Sequence, residues 1–200
     1  MSKPIIAAFD FDGTVSRHDS LRDLLRFVMT TPRFIRLAIR LTPTLLAFKT
    51  GRIHNDVAKE RALALAFGGM RIADFERLAE AFALHALPRI IRPKALERIR
   101  WHVNQGHRVI LVSASLETYL KPWALQLGFS DVCGSRLSVD ETGRITGKLA
   151  GENCWGPEKV RRLEALLGNL NQYEIYAYGD TRGDQEMLSI AGHPHFRPFE

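Results

Sequence analysis

Three short apolar runs constrain the fold more than anything else in the chain: "IIAAFD" at residues 5–10, "RVILVSAS" at 108–115 and "YEIYAYGD" at 173–180. Each is too short for a helix and apolar almost throughout, which is how a strand reads when both of its faces are covered. Helical spacing fills the chain between them. "RPKALERIRWHVNQGH" ends at Gly106, "LETYLKPWALQLG" closes on Gly128, and "GPEKVRRLEALLG" has Pro157 near its start and Gly168 at its end. Proline just inside a helix and glycine just past it are boundary signals. The alternation predicts an α/β fold built on a doubly wound parallel sheet.

One stretch breaks the alternation. Residues 16–87 carry helical periodicity with no strand signal, starting from an N-cap at Asp19 or Ser20 and punctuated by Pro43, where a break is expected, and by Gly68 and Gly69. This predicts an all-helical cap, residues 16–87, inserted into a core made of residues 1–15 and 88–200. "RLSVDETGRITGKL" reads as a hairpin turning near Glu141, Thr142 and Gly143, and a last short strand is expected around His195 and Phe196.

In an open α/β sheet the ligand crevice lies beyond the carboxyl ends of the strands. There the sequence places Asp10, Asp12, Ser113, Asp180 and Asp184, with Lys159 two residues into its helix pattern. Four acids and one lysine make a formal charge of −3. Crowded carboxylates are unfavourable without compensation, and a divalent cation bound by oxygens supplies it; Mg²⁺ suits a few carboxylates plus phosphate and water. Strand periodicity is expected to turn Asp10 and Asp12 to one side. An aspartate is ionised at neutral pH and needs no base to act as a nucleophile, so phosphoryl transfer fits, with one carboxylate attacking and its neighbour moving protons. Ser113, and the amides after it from Ala114 onward, are candidates for holding phosphate. Arg17 and Asp19 are candidates for touching the rest of the substrate. An EF-hand loop does not fit, because the glycine comes too early and the closing glutamate is missing.

Taken together, "DFDGT", "ILVSAS", "EKV" and "YGDTRGDQEML" resemble the four motifs of the haloacid dehalogenase superfamily of aspartate-nucleophile phosphatases, over the whole chain. The resemblance implies Asp10 as nucleophile, Asp12 as general acid and base that also binds Mg²⁺ through its backbone carbonyl, Ser113 as phosphate binder and Lys159 as stabiliser of the phospho-enzyme. It implies Asp180 as a Mg²⁺ ligand and Asp184 as its partner. The helical insert after the first motif is similar to the C1 cap of subfamily IB, the phosphoserine-phosphatase-like group. Phosphoserine phosphatases usually carry serine where Gly13 stands, glutamate where Asp19 stands, and Ser-Gly-Gly where this chain has Ser113, Ala114 and Ser115. The "DFDGT" and Ser113-Ala114-Ser115 variants, with the long apolar cap, look closer to other IB hydrolases, including phosphatidylglycerophosphate phosphatases. The expected activity is a Mg²⁺-dependent phosphomonoester hydrolase acting on a small or amphiphilic phosphate; a phosphotransferase or phosphomutase of the same fold differs only in the acceptor.

The net charge of +6 is local: residues 17–52 hold eight basic side chains against Asp19 and Asp23, an excess equal to that of the whole chain. Within it, "PRFIRLAIRL" combines Arg33, Arg36 and Arg40 with a strongly apolar helix, the pattern of a peripheral membrane contact or of a helix packed inside the cap with solvated arginines. No aromatic series or reading motif accompanies the charge, so nucleic acid is not an expected partner. No apolar run approaches the ~18 residues of a membrane span, the first residues do not read as a secretory signal, and Cys133 and Cys154 read as reduced thiols; the expectation is a cytoplasmic protein, with the basic cap able to meet anionic membrane.

Overall fold

The computed structural model describes residues 3–200. The doubly wound parallel sheet expected from the sequence is present. Its five strands are β1 (Ile5–Phe9), β2 (Arg108–Leu116), β3 (Asp131–Ser135), β6 (Glu174–Gly179) and β7 (His193–Phe196), in the order β3-β2-β1-β6-β7 and all parallel. The chain winds outward from β1 through β2 to β3, then returns to lay β6 on the other side of β1. That reversal puts the crevice at the ends of β1 and β6.

Strand alternation divides the interior in two. Ala7, Phe9, Val109, Leu111 and Tyr178 face one side and pack with Leu24, Phe82, Ile99 and Leu120. Ile6, Ala8, Ile110, Val112, Ile175 and Ala177 face the other and pack with Leu163, Met187 and Leu188. Both sides are covered, which is why the strands read as continuous apolar runs. The first side is covered by α5 (Pro93–Asn104), α6 (Glu117–Gln126) and part of the insert; the second by α7 (Pro157–Leu167) and α8 (Gln185–Ser189).

The insert after β1 holds α1 (Ser20–Val28), α2 (Thr31–Lys49), α3 (Asn55–Phe67) and α4 (Ile72–His85). Asp19 caps α1 by accepting from the Arg22 N–H at 3.1 Å. Leu24, Phe75 and Phe82 of the insert share one hydrophobic cluster with Phe9 and Leu111 of the sheet, so α1 and α4 are seated on the core. α3 is seated differently, under the antiparallel hairpin β4 (Leu137–Val139) and β5 (Ile145–Leu149). Glu60 of α3 accepts from Lys148 at 2.8 Å and from the Leu149 N–H at 3.0 Å. Gly147, at φ 86°, lies so close to Ala64 that any side chain there would collide with the α3 backbone.

Two expectations change. α2 runs straight through Pro43, where a break was expected. Pro43 and Ile39 both lie on the exposed side, so water can satisfy the Ile39 carbonyl that the missing N–H leaves free. β3 carries no strand signal in sequence; "DVCGS" is short and mixed, and it is a strand because β2 offers it an edge to pair with.

Candidate active site

β1 ends at Phe9, and the next residue, Asp10, continues the alternation of Ile6 and Ala8 toward the α7 side of the sheet. Its N–H still bonds the Tyr178 carbonyl of β6 at 2.9 Å. Asp10 is only 6% exposed. On that side lies Lys159 of α7, fully buried, whose ammonium sits 2.5 Å from Asp10 Oδ1 and 2.5 Å from Asp184 Oδ1. The other oxygen of Asp184 accepts from the Asp180 N–H at 3.1 Å, the Thr181 N–H at 2.9 Å and the Thr181 hydroxyl at 3.0 Å. Asp180 follows β6 directly and accepts from Thr14 Oγ1 at 2.9 Å. Carboxylate oxygens of Asp10, Asp180 and Asp184 come within 4.8 Å of one another.

The Asp12 carboxylate is not in this group. After Asp10 the chain leaves the strand in a wide turn, Phe11–Val15, closed by the Ser16 N–H on the Phe11 carbonyl. Gly13 makes the turn possible: it sits at φ 85°, and a side chain there would land on the Asp180 carboxylate. The Asp12 carboxylate lies outside the three-acid group, yet it lines the same cleft as Asp10. Its Oδ1 accepts from the Ser20 N–H, in the first turn of α1, at 2.8 Å, and its Oδ2 from the Ser115 hydroxyl. Ser20 in turn contacts the Tyr119 hydroxyl at 2.9 Å.

These surroundings set the charges. Burial, reinforced by Asp184, pushes Asp10 up to about 7 despite Lys159. Burial and the neighbouring Asp19 push Asp12 up to about 6, with the Ser115 and Ser20 hydrogen bonds pulling back. Burial also raises Asp180. Burial acts against ionisation of Asp184, but Lys159 and the backbone N–H bonds hold it below its usual value. Lys159 is likewise penalised by burial, yet Asp10 and Asp184 keep it above its ordinary value. Asp10, Asp180 and Asp184 with Lys159 leave a formal charge of −2, which one divalent cation balances. The donors are all hard oxygens with no His or Cys among them, so the set fits Mg²⁺.

A cleft of about 430 Å³ opens above these groups, lined by Asp10, Asp12, Asp19, Ser113, Ala114 and Lys159 among others. Ser113 Oγ accepts from the Ser115 N–H at 3.1 Å, which leaves its own hydrogen free to donate. Asp19 is on the exposed wall. Arg17 is not among the lining residues: it is exposed, and its N–H is held by the Ile90 carbonyl at 2.8 Å beside the Ser16–Ile91 bridge. Sequence reasoning missed Lys59 of α3, which crosses into the cleft to donate to the Ala114 carbonyl and, at 3.0 Å, to Asn153 Oδ1. Burial brings it down to about 8, although Asp12 and Asp19 favour its charge. Nothing in "NDVAKERA" distinguishes Lys59 from a solvated helix lysine. Thr14, Ser20 and Ser115 were also missed as site groups; Thr14 and Ser115 lie inside quoted motifs, and that proximity was their only signal.

The description haloacid dehalogenase-like hydrolase matches residues 7–189. Protein CicA of Caulobacter vibrioides is 37% identical over 197 residues, covering 98% of this chain and 87% of CicA. A phosphoserine phosphatase of Archaeoglobus fulgidus is 23% identical over 189 residues, 94% of this chain and 50% of that protein. Among solved structures, a phospho-aspartyl intermediate analogue of phosphoserine phosphatase superposes with a TM-score of 0.61 at 22% identity, covering 96% of this chain and 85% of that one. A match running from the first strand to the last helix of the sheet's second face leaves one assignment: the chain belongs to the haloacid dehalogenase-like hydrolases.

Proposed function

We propose that this phosphatase is a Mg²⁺-dependent phosphomonoesterase that works through an aspartyl-phosphate on Asp10. The observation that carries the reading is the separation of the two aspartates of "DFDGT" into different environments, Asp10 against Lys159 and Asp12 against Ser20 and Ser115. Lys159 fixes Oδ1 of Asp10 and aims the carboxylate into the cleft. Asp10 attacks phosphorus, forming an acyl-phosphate bond as the ester P–O bond breaks. Asp12, with a pKa near 6, is present in both forms around neutrality. Its acid form gives a proton to the leaving alkoxide; its base form then takes a proton from the water that hydrolyses the aspartyl-phosphate, which regenerates both groups. Ser113 donates to a phosphoryl oxygen. A Mg²⁺ held by Asp10, Asp180 and the Asp12 backbone carbonyl, with Asp184 and Lys159 fixing the ligands, would neutralise the phosphoryl oxygens during both steps.

The test is Asp10→Asn with an aryl phosphate as substrate. Turnover is expected to vanish while the fold persists; retention of wild-type turnover would remove Asp10 from the chemistry. A second reading narrows the substrate to an amphiphile, such as a lipid head-group phosphate. It is supported by Leu45 and Phe48 of α2, exposed apolar side chains that line the same cleft as Asp10 and Ser113.

A further inference from the structure

α2 is nineteen residues long, about 28 Å. Its inward stripe is Leu37, Leu41 and Thr44, all buried. On the opposite side Ile35, Ile39 and Leu46 are 52%, 66% and 59% exposed. Their spacing of four and seven residues makes them one ridge along the helix. Arg36 lies about a quarter turn round the helix from that ridge, with Arg40 and Arg33 on the same side and farther round toward the buried stripe; the three border a shallow groove of about 580 Å³ that Ile39 also lines. The segment that contains the helix carries the entire net positive charge of the chain.

Exposed aliphatic side chains in a row, flanked by long cationic ones, match the layering of a lipid surface. The aliphatic ridge reaches the acyl boundary while the arginines extend to the phosphate level. We propose that α2 docks flat on an anionic membrane surface, with Ile35, Ile39 and Leu46 inserted and Arg33, Arg36 and Arg40 among the lipid phosphates. The helix lies on the membrane and does not cross it: among the described residues no helix is long and apolar enough to span. A second copy of the chain fits less well, because a two-fold contact through this ridge brings the same three arginines toward each other. Nucleic acid would match the arginines and leave the aliphatic ridge without a partner. Docking in this pose holds the helix that carries Leu45 and Phe48, and with it one wall of the cleft, against the lipid layer. The docking does not depend on which reaction the cleft performs.

The experiment is co-sedimentation of the full chain with vesicles of phosphatidylcholine alone and of phosphatidylcholine mixed with phosphatidylglycerol. Partition is expected on the anionic vesicles and to weaken as salt is raised. Replacing Arg33, Arg36 and Arg40 by glutamine is expected to lower that partition on the order of 100-fold, since each basic residue near such a surface contributes about fivefold. Ile39→Asp is expected to lower it as well. Hydrolysis of a soluble aryl phosphate by both variants at the wild-type rate supports docking as the property lost, because the fold is then intact. Partition that is absent, equal on both vesicle types, or unchanged in the triple variant overturns the proposal. So does a wild-type dimer in sedimentation equilibrium that Ile39→Asp dissociates. Wild-type protein that binds vesicles but hydrolyses no phosphate ester would count against the phosphatase chemistry alone.

Discussion

Among the described residues Lys159 is the one cation in direct contact with both Asp10 and Asp184, and Lys159→Met tests how much the site depends on it. Lys159 is 1% exposed, and its ammonium lies 2.5 Å from both Asp10 and Asp184. Methionine keeps most of the volume and removes the charge. Three carboxylates then face one another with no internal counter-charge, and breaking a buried pair in this way costs about 3–5 kcal/mol. A domain of this size shifts its midpoint by about 2–4 °C per kcal/mol, so the metal-free variant is expected to melt about 6–20 °C below wild type at pH 8. The pH dependence has a definite sign. Asp10 already sits up at about 7 because of burial, and loss of Lys159 raises it further, whereas the unfolded chain ionises it near 3.8. The penalty for a raised acid opens as pH climbs past the unfolded value and is complete above the folded one. Wild type shares the Asp10 penalty up to about pH 7, so Asp10 adds to the difference only above that, while Asp184, held below its usual value by Lys159, loses that support in the variant from the acid range upward; the gap between variant and wild type should therefore widen from pH 4 to pH 8. Lys159 itself, raised in the fold, contributes its stability throughout that window and loses it only at much higher pH. Thermal melts followed by circular dichroism in chelator, at several pH values, measure this directly. A variant that melts with wild type at pH 8, or a gap that grows on acidification, would refute the coupling of these three side chains.

Mg²⁺ should stabilise the wild-type chain, because it balances the remaining charge of −2; at a hundred times its dissociation constant the gain is about 2.7 kcal/mol, and Asp180→Asn should abolish the thermal shift. Asp12→Asn is expected to slow hydrolysis of alkyl phosphates by about 10²–10⁴-fold, with a smaller effect on the first turnover of aryl phosphates, and to let phospho-enzyme accumulate, which intact-mass spectrometry can detect. Lys59→Met leaves the Ala114 carbonyl without its donor and is expected to cost about 1–3 kcal/mol in chemical denaturation. Since burial holds Lys59 down at about 8, its charged form penalises the fold below that pH, and wild type should gain on the variant as pH rises from 8 toward 10.5.

Asp10, Ser113 and Asp180 were legible in the sequence because each follows or ends an apolar run, and the topology of a parallel sheet brings such ends together. The local signals that failed are those where distant chain decides. Alternation placed Asp10 and Asp12 on one cleft, which both line, but the partners of Asp12, Ser20 and Ser115, come from α1 and the end of β2 and no strand pattern names them. Pro43 would break an interior helix; it survives because the carbonyl it deprives faces water. Lys59 meets Ala114 and Asn153 across separations of 55 and 94 residues, and no helical pattern encodes a partner that far away. β3 exists only as a neighbour of β2.

The alternation of Ile6, Ala8 and Asp10 also limits how the first strand can change over evolution. Adding or deleting one residue upstream of Asp10 within the paired stretch would exchange the two faces, bury the Asp10 carboxyl among the aromatic rings around Phe9 and Tyr178, and leave Lys159 with Asp184 as its one remaining acidic partner of the pair. Length variation in this strand is therefore tolerable only in steps of two residues, a parity rule that relatives retaining the same lysine partnership should obey.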